Sequence, residues 1–353
     1  MLIIKLITLF TPIKIRNTSK CLQTPWHPSV VYIPKGWNGH KYWMAQTPFP
    51  PTHIYPYSDR YELPSIHFSD DGLNFYSIDS NPIVDLTADE IEAHNYYSDP
   101  HLVLRNSQLE LYFRYTILKD KQYIGNQTLL LRSVSTDGFS WSKPIVIADL
   151  RHEKDINIWG EQIISQSLRW DGQGYECWYV DKSSYLSNRN VRLTKSENGV
   201  DWCKNVLCTL DGYTIDPWHI DVQHYDDKYQ MIVYDLHQLA WYESVDGVHF
   251  HFVSQVLVPS SNPRDFYSGG LYRACSIKVN NDILVYFSAK RKDKSFIGCL
   301  KTIDRIEFIP ISGISTIEWM CLLSRSKIKI YCKNCKKNIK RILSHINTLC
   351  KPT

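Results

Sequence analysis

Ser69-Asp70-Asp71-Gly72-Leu73-Asn74-Phe75 recurs three more times along the chain. The copies are Ser135-Thr136-Asp137-Gly138-Phe139-Ser140-Trp141, Ser196-Glu197-Asn198-Gly199-Val200-Asp201-Trp202 and Ser244-Val245-Asp246-Gly247-Val248-His249-Phe250. The shared pattern is Ser-x-Asp/Asn-Gly-x-x-Trp/Phe. Asp-Gly and Asn-Gly supply the positive φ that a tight hairpin needs. The Ser hydroxyl can bond the turn backbone, and the aromatic three positions past Gly can pack back over the turn. One such hairpin is common in any β-protein. Four with the same flanking residues mark an internal repeat.

Two strand-like runs precede each hairpin. For the first they are Ser29–Ile33 and His40–Ala45, and for the second His101–Leu104 and Leu109–Tyr115. Gln162–Ser165 with Tyr175–Val180, and Ile220–Gln223 with Tyr229–Tyr234, precede the third and fourth. A fifth pair, Arg273–Lys278 and Ile283–Ser288, leads to a degenerate hairpin near Thr302 to Phe308. Five units of about four strands predict an all-β fold, a five-bladed β-propeller with ~50–60 residues per blade over residues 26–310. A sandwich would not explain the regular order of two strands and then a hairpin. Thr87-x-x-Glu90 is a capping box and predicts a short helix between blades one and two.

Composition agrees. Of 353 residues, 13% are aromatic and only seven are Ala, which favours pleated surfaces over helices. The mean hydropathy of −0.31 and near-balanced charge exclude a bundle of membrane spans and a disordered polyelectrolyte. Nine Lys/Arg and no carboxylate lie from Arg325 onward, while residues 1–324 carry 31 basic and 36 acidic groups. A mildly acidic body suits a neutral glycan better than a phosphate backbone.

In a propeller, the innermost strand of each blade starts at the mouth of the central channel, so side chains there converge. Those starts offer Trp26-His27-Pro28 on blade one, Asp99-Pro100 on blade two and Trp159-Gly160-Glu161 on blade three. Trp218-His219-Ile220-Asp221 and Tyr272-Arg273 follow on blades four and five, and Glu62 opens the third strand of blade one. Aromatics stack on sugar faces, and carboxylates and Arg grip hydroxyls. Two or three carboxylates facing one pocket are what glycosidic cleavage requires.

The blades and the Asp-Pro of blade two resemble the five-bladed propeller glycoside hydrolases, the superfamily of families 43, 32, 62 and 68. Trp37-Asn38-Gly39, Tyr42-Trp43-Met44-Ala45, Thr47-Pro48 and Tyr61-Glu62-Leu63-Pro64-Ser65-Ile66 are similar to uncharacterised members of it. The likeness covers about residues 25–310. It implies a hydrolase acting on O-glycosyl bonds, with no cofactor for catalysis. Asp99 would orient and tune, and Glu161 would be the general acid. His27 stands where the family has its base or nucleophile Asp, so Glu62 or Asp221 would supply the third carboxylate. The substrate-binding set is Trp26, Trp159, Trp218, His219, Tyr272 and Arg273. The departure at His27 leaves a non-catalytic glycan-binding or protein-interaction propeller as the rival.

The ends complete the expected organisation. Residues 1–25 form an N-terminal segment, read as a closing strand rather than a signal peptide or a membrane span. Residues 311–331 are a linker and 332–353 a basic tail. Within the tail, Cys332, Cys335, His345 and Cys350 have the ligand types of one structural zinc site. Nucleic acid or another acidic surface is a partner only through this tail. The scattered cysteines read as reduced thiols, which favours a cytoplasmic location.

Overall fold

The computed structural model describes residues 9–16, 25–48, 62–119, 122–181, 189–212 and 216–323. The four residues of the expected zinc site, Cys332, Cys335, His345 and Cys350, lie outside these.

Strand β1 (Lys14–Arg16) precedes five antiparallel blades. Blade one is β2 (Ser29–Trp37), β3 (His40–Gln46), β4 (Ser65–Ser69) and β5 (Asn74–Ser77). Helix α1 (Ala88–Glu92) follows, with its Thr87/Glu90 capping box formed. Blade two is β6 (Tyr96–Arg105), β7 (Gln108–Lys119), β8 (Gln122–Ser135) and β9 (Ile145–Asp149). Helix α2 (Glu153–Trp159) leads into blade three, β10 (Ile164–Trp170), β11 (Tyr175–Asp181), β12 (Asn190–Ser196) and β13 (Val206–Leu207). Blade four is β15 (His219–Tyr225), β16 (Lys228–Tyr234), β17 (Leu239–Ser244) and β18 (His249–Leu257), and β14 (Thr209–Asp211) adds a parallel fifth strand to its outer edge. Blade five is β19 (Leu271–Val279), β20 (Asp282–Arg291), β21 (Lys294–Thr302) and β22 (Ile309–Ile311). β1 pairs in parallel with β5, while Ile13 N–H donates to Ile297 O of blade five at 2.9 Å, so this segment bridges the first and last blades. No helix among the described residues is long and apolar enough to cross a membrane.

The repeated hairpin works somewhat differently from its sequence reading. Only the Gly is at positive φ, between 73° and 81° in the four copies. The preceding Asp or Asn is instead an acceptor. Asp71 Oδ1 takes the N–H groups of Leu73 and Asn74 at 2.8 Å, and Ser69 Oγ takes that of Gly72 at 3.0 Å. The fifth copy keeps this wiring with Thr302, Asp304 and Arg305, the last at φ 62° in place of Gly. Each turn also packs on the preceding blade. Trp178 Nε1 donates to Gly247 O at 2.7 Å, and Tyr286 Oη donates to Gly72 O at 3.0 Å. The aromatic three past Gly turns inward as expected: Phe75 and Phe250 are fully buried. Among the described residues the six cysteines are free thiols, and four of them are buried as small core residues.

The inner strands carry a second repeat. Ser98 pairs with Arg114 and His101 with Tyr112, so Asp99 and Pro100 together face one residue of β7. Ser165-Gln166 and Tyr272-Arg273 make the same two-against-one bulge in blades three and five. In blade one, Thr47 N–H donates to Trp26 O just before Ser29 pairs with Ala45, which puts His27-Pro28 in the equivalent place. Pro has no N–H to leave unpaired, so it suits a bulge. A bulge re-aims its side chain, here toward the axis.

Candidate active site

Asp99 is the centre of the channel mouth. Arg114 Nη2 lies 2.9 Å from Asp99 Oδ2 and Arg273 Nη1 3.6 Å from Oδ1. His219 Nδ1 is 3.4 Å and His27 Nε2 3.9 Å from that same Oδ1. All three of His27, Asp99 and His219 are at most 2% exposed. Three blades therefore deliver two imidazoles and a carboxylate whose ligand atoms lie within 4.8 Å of one another. His27, Asp99 and Ser165 occupy equivalent bulge positions at φ 52°, 52° and 49°, and Glu62 sits at 55°. Non-Gly residues in that region are strained by about 1–3 kcal/mol each, and such strain clusters at functional sites.

The electrostatics separate these groups. Burial holds the His27 imidazolium down to about 3 and pushes that of His219 well below its ordinary value, so both rings are neutral near pH 7. Burial alone would raise the Asp99 carboxyl. The charges of Arg114 and, more weakly, Arg273 outweigh it and keep Asp99 well below the usual carboxylate range. Burial and then the charge of Asp99 push Glu62 well above that range. The two carboxyls are thus pushed in opposite directions. His27 Nδ1 is fixed by a 2.6 Å hydrogen bond with Thr47 Oγ1, which turns Nε2 toward Asp99. Asp99 Oδ1, Glu62 Oε2 and both ring nitrogens of His219 are buried without a hydrogen-bond partner among the described residues. Neutral imidazoles, an ionised carboxylate and unsatisfied buried acceptors are the donor chemistry a divalent cation requires.

An aromatic wall stands beside this centre. Trp26 stacks on Tyr272 with ring centroids 4.9 Å apart, and Tyr272 meets His219 edge-on at 4.3 Å. Trp218 Nε1 donates to Tyr272 Oη at 2.9 Å.

The structure thus brings together His27, Glu62, Asp99, His219, Tyr272, Arg273, Trp26 and Trp218. Asp221 lies one alternation deeper in the channel, where its Oδ2 accepts from Ser276 N at 2.9 Å, and burial raises its carboxyl to about 6. Trp159 is corrected. It ends α2 and is buried between blades two and three against Tyr179 and Trp202, so it is a core residue and not a sugar platform. Gly160 caps that helix at φ 91°, which delays the inner strand of blade three to Ile164 and leaves Glu161 exposed, outside the buried cluster. Arg114 was missed. It projects from the second strand of blade two, and its signal was a charged residue in an otherwise apolar run.

No protein-family model matches the chain. A curated relative, the A type blood N-acetyl-alpha-D-galactosamine deacetylase of Flavonifractor plautii, is 23% identical over 323 residues. The match takes in 76% of this chain, and the chain spans about 40% of the length of that relative. Among solved structures, an N-acetylgalactosamine deacetylase from F. plautii in complex with blood group B trisaccharide superposes with a TM-score of 0.63 at 19% identity, covering 90% of this chain and 96% of that one. The GH43_1 enzyme from Xanthomonas citri complexed with xylose gives 0.57 at 10% identity over 84% and 94% of the two chains. A family 117 glycoside hydrolase of Zobellia galactanivorans gives 0.55 at 12% over 83% and 88%. These likenesses show the fold, a five-bladed β-propeller. Deacetylases and glycoside hydrolases both occur among these neighbours, so the scaffold by itself does not select a chemistry.

Proposed function

We propose that the chain is a metal-assisted hydrolase that removes an N-acyl group from an amino sugar of a glycan, with His27, Asp99 and His219 holding a divalent cation. The observation that carries this reading is the convergence of two neutral imidazoles and one ionised carboxylate within 4.8 Å. His27, in the place of the carboxylate expected of a glycosidase, fits as a ligand. The deacetylase name of the F. plautii relative supports the reaction class.

A cation bound there would polarise the acyl carbonyl and acidify a water. Arg114 and Arg273 hold the Asp99 carboxylate in place, and Thr47 holds the His27 ring. Glu62, kept neutral, supplies the proton taken by the leaving nitrogen. Water oxygen bonds to the acyl carbon, the C–N bond breaks, and a water proton restores Glu62. The products are a carboxylic acid and a free amino sugar. The Trp26–Tyr272 wall offers a face for the sugar ring. The Tyr272 hydroxyl, which accepts from Trp218, has its own hydrogen to give to the carbonyl oxygen.

A second reading rests on one observation. Glu62 held neutral beside ionised Asp99 is also the acid/base division of a glycosidase. The test is incubation with a panel of glycans bearing N-acetylated amino sugars, measuring acetate and free amine. Acetate release that stops with a chelator or in His219→Ala, and that returns to the chelated wild type on adding a divalent metal, supports the deacylase. Sugar release without acetate, unaffected by the chelator, supports the glycosidase.

A further inference from the structure

Tyr272 does not stand alone at the mouth. Its hydroxyl accepts the Trp218 indole N–H at 2.9 Å. The Trp218 ring lies under the Arg189 guanidinium, 4.6 Å from its centroid. Arg189 is itself buried and anchored to Asp216, whose Oδ1 accepts the Arg189 backbone N–H at 3.1 Å and whose Oδ2 accepts from Nη2. The Trp218 backbone N–H donates to Tyr234 O at 2.8 Å. The chain of contacts runs from blade three (Arg189) through blade four (Asp216, Trp218) to blade five (Tyr272). Every link is a directional hydrogen bond or a ring-face contact, not just apolar packing.

A phenol oxygen has one hydrogen to give, and it can accept from a donor such as this indole. Indole Nε1 can only donate. When Trp218 donates to the oxygen, the O–H rotor is turned away from the indole N–H, and its hydrogen is directed to another acceptor. No acceptor for that hydrogen is found among the described residues, and Tyr272 faces the rings of His27 and His219 at 5.2 and 4.3 Å.

We infer that Trp218 is a positioning residue: its indole N–H, braced by Arg189 and Asp216, commits the Tyr272 hydroxyl to donate a hydrogen bond to the oxygen of a substrate bound at the His27–Asp99–His219 centre. The inference rests on the deacylase reading for the identity of that oxygen, an acyl carbonyl. It differs from a sugar-platform role for Trp218, in which the ring face, not the N–H, would matter. One of the two ring faces is covered by Arg189.

The test is Trp218→Phe, which keeps a ring and deletes the N–H. Loss of one orienting hydrogen bond should lower kcat for acetate release about tenfold, with KM changed less than about twofold. In a Tyr272→Phe background the same substitution should have no further effect, because the group it orients is gone. A platform role would raise KM and persist in that background. Independently of any reaction, the Trp218 indole N–H resonance of ¹⁵N-tryptophan protein, assigned by its disappearance in Trp218→Phe, should move and exchange faster in Tyr272→Phe. Wild-type kcat in Trp218→Phe, losses that multiply in the double variant, or an indole resonance unmoved by Tyr272→Phe would each overturn the inference. Wild-type protein that releases no acetate would count against the deacylase reading instead, and the indole resonance would then decide whether Trp218 commits the hydroxyl.

Discussion

Gly138→Ala tests how the blades are held together. Gly138 is at φ +81°, and a methyl group built on it would come within 2.3 Å of Trp43 Cη2 and 2.4 Å of Cζ3. Trp43 has nowhere to go: it is fully buried, with Trp37 at 5.3 Å and Phe139 at 5.4 Å. Two costs add. Left-handed backbone in an L-residue costs roughly 1–2 kcal/mol, and overpacking a filled core costs about 1–3 kcal/mol. The expected loss is therefore ~2–5 kcal/mol. Gly39 is the control, at φ +89° with nothing within 4 Å of a new methyl group, so Gly39→Ala should lose only the backbone part. Equilibrium urea unfolding of wild type and both variants reads the difference. If Gly138→Ala is no less stable than Gly39→Ala, the turn does not dock on the preceding blade as described.

Other expectations follow from the mouth and the channel. Glu62→Gln should lower kcat about 10²–10⁴-fold if it is the proton donor, while Glu161→Gln, at an exposed position, should keep near-wild-type turnover; steady-state kinetics on one acylated substrate separates them. Asp99→Asn leaves Arg114 and the fully buried Arg273 without their counter-charge, so it should cost about 3–5 kcal/mol in urea unfolding and abolish metal uptake measured by calorimetry. Asp221 titrates at about 6 when folded against 3.8 for the ordinary carboxyl. The folded chain binds that proton more tightly, so its stabilising effect is complete below about pH 3.8 and lost as pH rises through about 6, a change of ~3 kcal/mol. Stability measured at pH 4 and pH 7 should therefore differ less in Asp221→Asn than in wild type, by about 2 kcal/mol, since part of the change is already complete at pH 4.

The propeller was legible because its repeat is carried by residues with few alternatives. Gly at a left-handed turn, Ser and Asp as turn acceptors and an aromatic over the turn leave a pattern that survives the variation between copies, and even Thr302 to Phe308 keeps it. The mouth was legible where the bulge carries chemistry, as at His27-Pro28, Asp99-Pro100 and Tyr272-Arg273. It failed on blade three. The bulge there is Ser165-Gln166, which looks like nothing in the sequence, whereas Trp159-Gly160-Glu161 nearby imitates a mouth. Three polar residues of the first turn of α2 and its Gly160 cap were the overlooked signs of a helix. Arg114 was hidden for another reason: strand-start reasoning looks only at inner strands, and this side chain reaches the axis from the neighbouring one. The histidines were read as a replaced base and a sugar contact, because spacing within a sequence says nothing of side chains brought together from blades one, two and four.

The product formed from an intact glycan that carries one N-acetylated amino sugar tests the deacylase reading most directly. Mass spectrometry of that glycan after incubation with metal-loaded protein should show loss of a single acetyl group, with every glycosidic bond kept and one equivalent of acetate in solution. Shortened glycans that retain the acetyl group would contradict it and place the chemistry at the glycosidic bond.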